Sequence, residues 1–297
     1  MATIQTIPIR RRTFDFHGWP KYPPRPSPKR QGKAKMTIAA GVLQEESVVL
    51  AADTLHITGG IPIYKTKLFD LDHRDSITVS IAGAGDSDFI KTIAQKIDSS
   101  LPGAASLDDL ARVVEDENLK FHRKHVFKHP GKAEDKPEYD LLIAACEPKE
   151  KKMRLLKTTR GTTLQVHSYE FIGIGSPVAN AFATGIFSPM ISHIEAECFA
   201  MYGIHQAKKF DQNCGGDTEV IGIQIDGRRV RFRQHYIKKV EEYFDAFTAD
   251  FKDFMLPAEL DEFESEHVLG DMLKETVRKW TRMRAELRKL HDDHYLY

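Results

Sequence analysis

Cysteine is scarce in this sequence: Cys146, Cys198 and Cys214 are the only three in 297 residues, and no two are spaced as a CxxC pair. So few, so far apart, they provide neither a disulfide framework nor a cysteine-type zinc site, and they suit a reducing compartment, with the cytoplasm as the expected location. An excess of one charge is also missing, because 43 Lys and Arg balance 43 Asp and Glu. No global field therefore argues for nucleic acid or a membrane surface as a partner. No apolar run approaches the roughly 18 residues a spanning helix needs. Arg11-Arg12-Thr13-Phe14 has the look of a twin-arginine signal, but HGWPKYPPRPSPKRQGKAK follows where an apolar stretch should. The Gly-Lys-Ser/Thr of a phosphate loop is absent as well, so Gly173, Gly175 and Ser176 are not read as one. What remains is a globular chain, 41% hydrophobic, able to bury a large core.

Residues 1–36 stand apart, with six of the 14 prolines and nine Lys or Arg against the single acid Asp15. Such a segment buries too little apolar surface to order itself, so it is expected to be a leader, either a propeptide or an over-extended start. From Thr37 the texture changes. TIAAGVL and SVVLAAD, split by QEE, read as a hairpin, and YKTKLFDL and SITVSIAG as two further strands. Asp86 or Ser87 opens a helix whose apolar stripe is Phe89, Ile90, Ile93, Ala94 and Ile97. Ser106-Leu107-Asp108-Asp109 opens a second helix. Strands are then expected at YDLLIAACE, MRLLKTT and SYEFIGIG. A helical region from about Ser176 to Lys209 follows, interrupted near Gly185 to Pro189, and then a hairpin of TEVIGIQI and RVRFRQ. A charged helical extension, 237–297, ends the chain. Its Leu273, Val277, Trp280, Met283 and Leu287 form an amphipathic stripe that packs on its own domain or a neighbouring subunit. Blocks of strands segregated from blocks of helices predict an α+β fold, with two packed sheets covered by helix layers.

Chemistry centres on Thr37. A threonine hydroxyl is a weak nucleophile near neutral pH and needs an adjacent base, and the simplest is its own α-amine, with a reference pKa near 8. That arrangement exists only at an N-terminus. Thr37 follows Met36, and an initiator methionine is generally removed before a small residue, so a chain started at Met36 would expose it.

MTIAAGVLQEESVVLAADT resembles the opening of proteasome β subunits and their bacterial peptidase relatives, which are N-terminal-nucleophile (Ntn) hydrolases. The register is gap-free from Thr37 through Gly41 to Asp53, and Lys67-Leu68-Phe69 fits the family's Lys-apolar-aromatic triplet. The resemblance implies that Thr37 is the nucleophile, that Asp53 accepts a bond from Lys67, and that the Lys67 charge lowers the pKa of the Thr37 amine. In SIAGAGD the matching glycine is Gly83, whose N–H is implied as the oxyanion donor, a contribution of about 3–4 kcal/mol. DQNCGGDTEV places Asp211 on the supporting catalytic aspartate. Two positions depart from the pattern: Ile174 and Cys214 stand where serines are usual, thinning the proton-relay shell.

The similarity runs from about Thr37 to Phe232 and implies a four-layer αββα sandwich for the domain 37–236. It also implies a homo-oligomeric ring, polypeptide substrates, a plausible ATPase regulator, and no metal or organic cofactor. Two alternatives stay open: a non-catalytic scaffold subunit in which Thr37 is never freed, and an Ntn amidase for small molecules. His122, His125 and His129 are read as a solvated helix end in preference to a metal cluster.

Overall fold

A computed structural model of the chain describes residues 37–58, 61–71, 76–130, 136–255 and 266–295. The expected leader, residues 1–36, lies outside them. Among the described residues, twelve strands and six α-helices follow in the order β1 Ile38–Leu43, β2 Ser47–Asp53, β3 Leu55–Thr58, β4 Ile61–Tyr64, β5 Leu68–Leu71, β6 Thr78–Gly85, α1 Ser87–Ser100, α2 Leu107–Phe121, β7 Tyr139–Glu147, β8 Lys152–Thr159, β9 Thr162–Val166, β10 Tyr169–Gly173, α3 Ser176–Ala183, α4 His193–Phe210, β11 Thr218–Gln224, β12 Arg229–Arg231, α5 Gln234–Met255 and α6 Glu266–Tyr295. The fold is mixed α+β with antiparallel sheets.

One five-stranded sheet has the order β10-β1-β2-β11-β12 and the other β5-β6-β7-β8-β9, with β3-β4 as a separate ribbon. Central strands read as near-continuous apolar runs because both of their faces are covered. Along β7, Leu141, Ile143 and Ala145 pack with the stripes of α1 and α2, while Leu142, Ala144 and Cys146 pack with Ala39, Leu50, Ala52 and Ile221 of the other sheet. The opposite face of that other sheet, through Ile38, Ala40, Val49 and Val220, packs on α4 at Phe199, Ala200 and Ile204, and on Tyr236 and Val240 of α5.

Caps fix where the helices begin. The Asp86 carboxylate accepts from the Asp88 N–H at the start of α1, and the Ser106 hydroxyl accepts from the Asp109 N–H at the start of α2. Ser192 and Glu195 form a full capping box on α4. α2 runs on into a π-helical segment, His122–Phe127. YKTKLFDL is not one strand, as expected from sequence, but is divided between β4 and β5. The Thr66 hydroxyl takes both backbone groups of Leu68, and Lys65 donates back to the Thr54 carbonyl, so the chain turns inward at Lys67.

Candidate active site

β1, β2 and β11 bring three distant segments together at one end of their sheet, where Thr218 is the register partner of Asp53 and Ala39 that of Ala52. Asp53 ends β2 fully buried, and its carboxylate gathers donors from Lys67, from the start of β1 and from the segment before β11. The Lys67 ammonium and the Ile38 N–H (3.1 Å) reach Oδ1, and the Gly215 N–H reaches Oδ2 at 2.9 Å. Lys67, also buried, donates in addition to the Leu55 carbonyl at 2.7 Å. Burial pushes the Asp53 carboxyl up and the Lys67 amine down, and the attraction between the pair opposes both shifts without cancelling them.

Thr37 immediately precedes β1 and is buried, with no hydrogen-bond partner for Oγ1 among the described residues. Two glycines let the backbone close on it. Gly173 has φ +93°, and a Cβ there would sit 2.3 Å from the Thr37 carbonyl oxygen and 2.9 Å from the Ala84 Cβ. A Cβ on Gly175 would meet the Cys214 sulfur at 2.6 Å. Gly173 is thus needed for conformation and close approach, and Gly175 for close approach. The resemblance already implied that the residue between these glycines, Ile174, borders the nucleophile; the left-handed φ of Gly173 and its contact with the Thr37 carbonyl come from the folded chain.

The other expected site residues are placed as follows. The Gly83 N–H donates to the Lys67 carbonyl at 3.0 Å beside the β5–β6 ladder, so it is already engaged where an oxyanion donor was expected. The glycine itself is demanded by packing, since a Cβ would lie 2.2 Å from Cγ2 of Ile90 on α1. Asp211 caps the C-terminus of α4, and its carboxylate accepts from the backbone and side-chain amides of Asn213 at 2.9 and 2.8 Å rather than reaching Lys67 directly. Cys214 lies near both this carboxylate and that of Asp53. Burial and the Asp53 and Asp211 charges push its thiol well above the ordinary range, leaving a neutral, weakly bonding group. Ile174 packs against the apolar cluster of α4.

Sequence reasoning missed His56. It sits on β3, buried, with Nε2 unpartnered among the described residues, and burial together with the Lys67 and Lys65 charges lowers its pKa to about 4. Its signal in the sequence, a lone histidine three residues past Asp53, points to nothing by itself. Among the described residues no group of His, Cys, Asp and Glu is arranged to hold a metal ion, and no helix is long and apolar enough to cross a membrane.

No protein-family model matches the sequence, and no curated protein matches it either. Solved structures do match the fold. The Anbu (ancestral beta-subunit) protein of Yersinia bercovieri aligns at 13% identity and TM-score 0.62 over 72% of this chain and 95% of its own. Anbu from Hyphomicrobium sp. strain MC1 aligns at 15% and 0.61 over 73% and 97%. The Anbu chain of a helical assembly from Pseudomonas aeruginosa aligns at 12% and 0.61 over 77% and 100%. The chain is thus similar in fold to ancestral beta-subunit proteins. The expectation of a bacterial proteasome-type peptidase is corrected by this finding, because the structures matched are Anbu chains and identities this low carry the fold alone. The opening motif, Thr37 to Asp53, corresponds in the structure to the β1–β2 hairpin and the buried carboxylate that ends it.

Proposed function

We propose that the chain is a threonine-type hydrolase of the ancestral beta-subunit fold, cleaving peptide bonds through an acyl-enzyme on Thr37, and active only when Thr37 is the free N-terminus. The observation that carries this is the Asp53 carboxylate, which ties the Lys67 ammonium to the first amide of β1 directly after the unbonded Thr37 hydroxyl. In this reading the Thr37 amine, its pKa held down by the Lys67 charge, takes the hydroxyl proton as Oγ1 attacks the peptide carbonyl. The tetrahedral oxyanion collapses, the leaving amine departs with that proton, and water deacylates the ester to restore Thr37. Gly83 can serve the oxyanion only if its bond to the Lys67 carbonyl opens, and Asp211 supports the site through the Asn213–Cys214 turn.

The three buried clusters support a four-layer αββα order. Residues 37–236 form the hydrolase domain in this reading. In the proposed extension, 237–297, the described residues are those of α5 and α6, and the buried Ile237 and Val240 of α5 root it in the domain. The helical assembly of the Pseudomonas aeruginosa Anbu chain supports a homo-oligomer, and the cysteine usage supports the cytoplasm. A second reading, a non-catalytic scaffold of the same fold, draws on the engaged Gly83 amide and on the thinned shell at Ile174 and Cys214. Peptide turnover by a chain beginning at Thr37 separates the two. We expect hydrolysis that falls to background in Thr37→Ala, whereas equal turnover in that variant would sink the hydrolase reading.

A further inference from the structure

Away from the Thr37 cluster, a cavity of about 400 Å³ opens between the end of α2 and the start of β7, with His122, Val126, Phe127, Lys136, Tyr139 and Arg160 among its walls. That volume lies within the range of small-molecule sites. Two backbone features frame it. The wall from His122 to Phe127 is a π-helical turn, a form that is rare and concentrated at functional sites. Arg160, another wall residue, holds φ +46° in the β8–β9 turn, a region non-glycine residues seldom occupy. Gly161 (φ +87°) continues the turn beside the His122 ring, where a Cβ would make an ordinary contact at 3.4 Å.

The walls combine apolar surface from Val126, Phe127 and Tyr139 with two cationic side chains, Lys136 and Arg160. The Lys136 ammonium lies over the Phe127 ring, 5.3 Å from its centroid, and donates to the Phe127 carbonyl at 3.0 Å, leaving further N–H donors for a ligand. Arg160 is exposed, and its guanidinium has no hydrogen bond or ion pair among the described residues. Two carboxylates, Glu138 and Asp140, also border the cavity. Tyr139 belongs to the helix-covered face of β7, so the period-2 alternation sends Asp140 to the opposite face, where Lys157 and Arg160 offset its charge. Glu138 has the same parity as Asp140. Burial and the Lys136 charge lower the His122 pKa.

We propose that this cavity binds an apolar or aromatic carboxylate, its body against Phe127, Val126 and Tyr139 and its carboxylate on Arg160 and Lys136. Charge-assisted bonds of this kind, with a planar guanidinium facing a planar carboxylate, give both strength and selection. The site is distinct from the Thr37 cluster but close to it in the fold: Asp140 is the register partner of Ala84, and Ala84 and the Thr37 carbonyl both crowd Gly173. The same chemistry is offered by a free aromatic acid and by the C-terminal residue of a peptide.

Calorimetric titration of the full chain with N-acetylphenylalanine and with its amide tests the proposal, and a tetrapeptide ending in phenylalanine, as acid and as amide, distinguishes the two sources. We expect either acid to bind at least about tenfold more tightly than its amide. Arg160→Asn, which suits the left-handed turn, should lose about tenfold, Lys136→Gln should weaken binding, and Arg160→Lys should recover part of the loss. Thr37→Ala should bind as the parent does, so the outcome is independent of the hydrolase reading. Equal affinity for acid and amide, no binding of either acid at millimolar concentration, or an unchanged affinity in a folded Arg160→Asn variant would overturn the proposal.

Discussion

Burial shifts Asp53 and Lys67 away from their charged forms in opposite directions, so desolvation outweighs their mutual attraction. Removing one partner should therefore cost more than removing both. Asp53→Asn or Lys67→Met alone is expected to lower the unfolding free energy by about 3–5 kcal/mol, while the double variant should lose far less than the sum of the two. Urea titration of the four chains measures the coupling, and additive losses would show that the pair does not act as a unit. His56 gives a second prediction at this scale. Its folded pKa of about 4 lies below the unfolded value near 6.5, so the unfolded chain takes up a proton first as pH falls. Stability contributed by the neutral imidazole is complete above about pH 6.5. It is lost between roughly pH 6.5 and 4, at up to about 1.4 kcal/mol per unit. His56→Gln should remove that part of the slope, leaving the smaller contributions of His122 and His125, whose pKa values are also lowered. An identical slope in the variant would place the titration elsewhere.

Among the elements, the β10–α3 turn is the most sensitive. Gly173→Ala must place a methyl 2.3 Å from the Thr37 carbonyl oxygen at φ +93°. We expect a loss of about 1–3 kcal/mol in thermal unfolding, and lower peptide turnover per folded molecule as Thr37 shifts. Unchanged stability would mean that the turn relaxes freely. The long helices lean on specific ties: a buried His291–Glu197 contact at 3.1 Å holds α6 to α4, and Trp280 and Lys279 bond Asp250 of α5. Elements whose apolar pattern is set by the core were legible in the sequence: β1, β2, β6, β7, the stripes of α1 and α2 with their caps, and the break between α3 and α4. The β3–β4 ribbon was not, because Ile61–Tyr64 is largely exposed and Pro62 argues against a strand. Strand β9 was missed for a similar reason, since its residues are mostly open to solvent and carry little alternation. The split of YKTKLFDL depends on Thr66 bonding its own neighbours, a tertiary choice that no periodicity records. At the site, the family resemblance implied the contact between Asp53 and Lys67, whereas the engaged amide of Gly83, the orphan nitrogen of His56 and the left-handed Arg160 all depend on contacts made only in the folded chain.

At the scale of the whole molecule, the fold follows from the distribution of buried residues. Apolar clusters lie between the sheets and on both outer faces, and identities of 12–15% suffice to keep that architecture in the Anbu structures. The proposed hydrolase function depends on a narrower condition, the state of the chain immediately before Thr37. The most direct measurement is intact-mass spectrometry with peptide mapping after exposure to a β-lactone, a strained ester that acylates an activated hydroxyl. The proposed mechanism predicts one acyl group, on Thr37, in a chain that begins at Thr37 and none in a chain still carrying Met36. Acylation at another residue, or equal acylation of Thr37 in both chains, would contradict it.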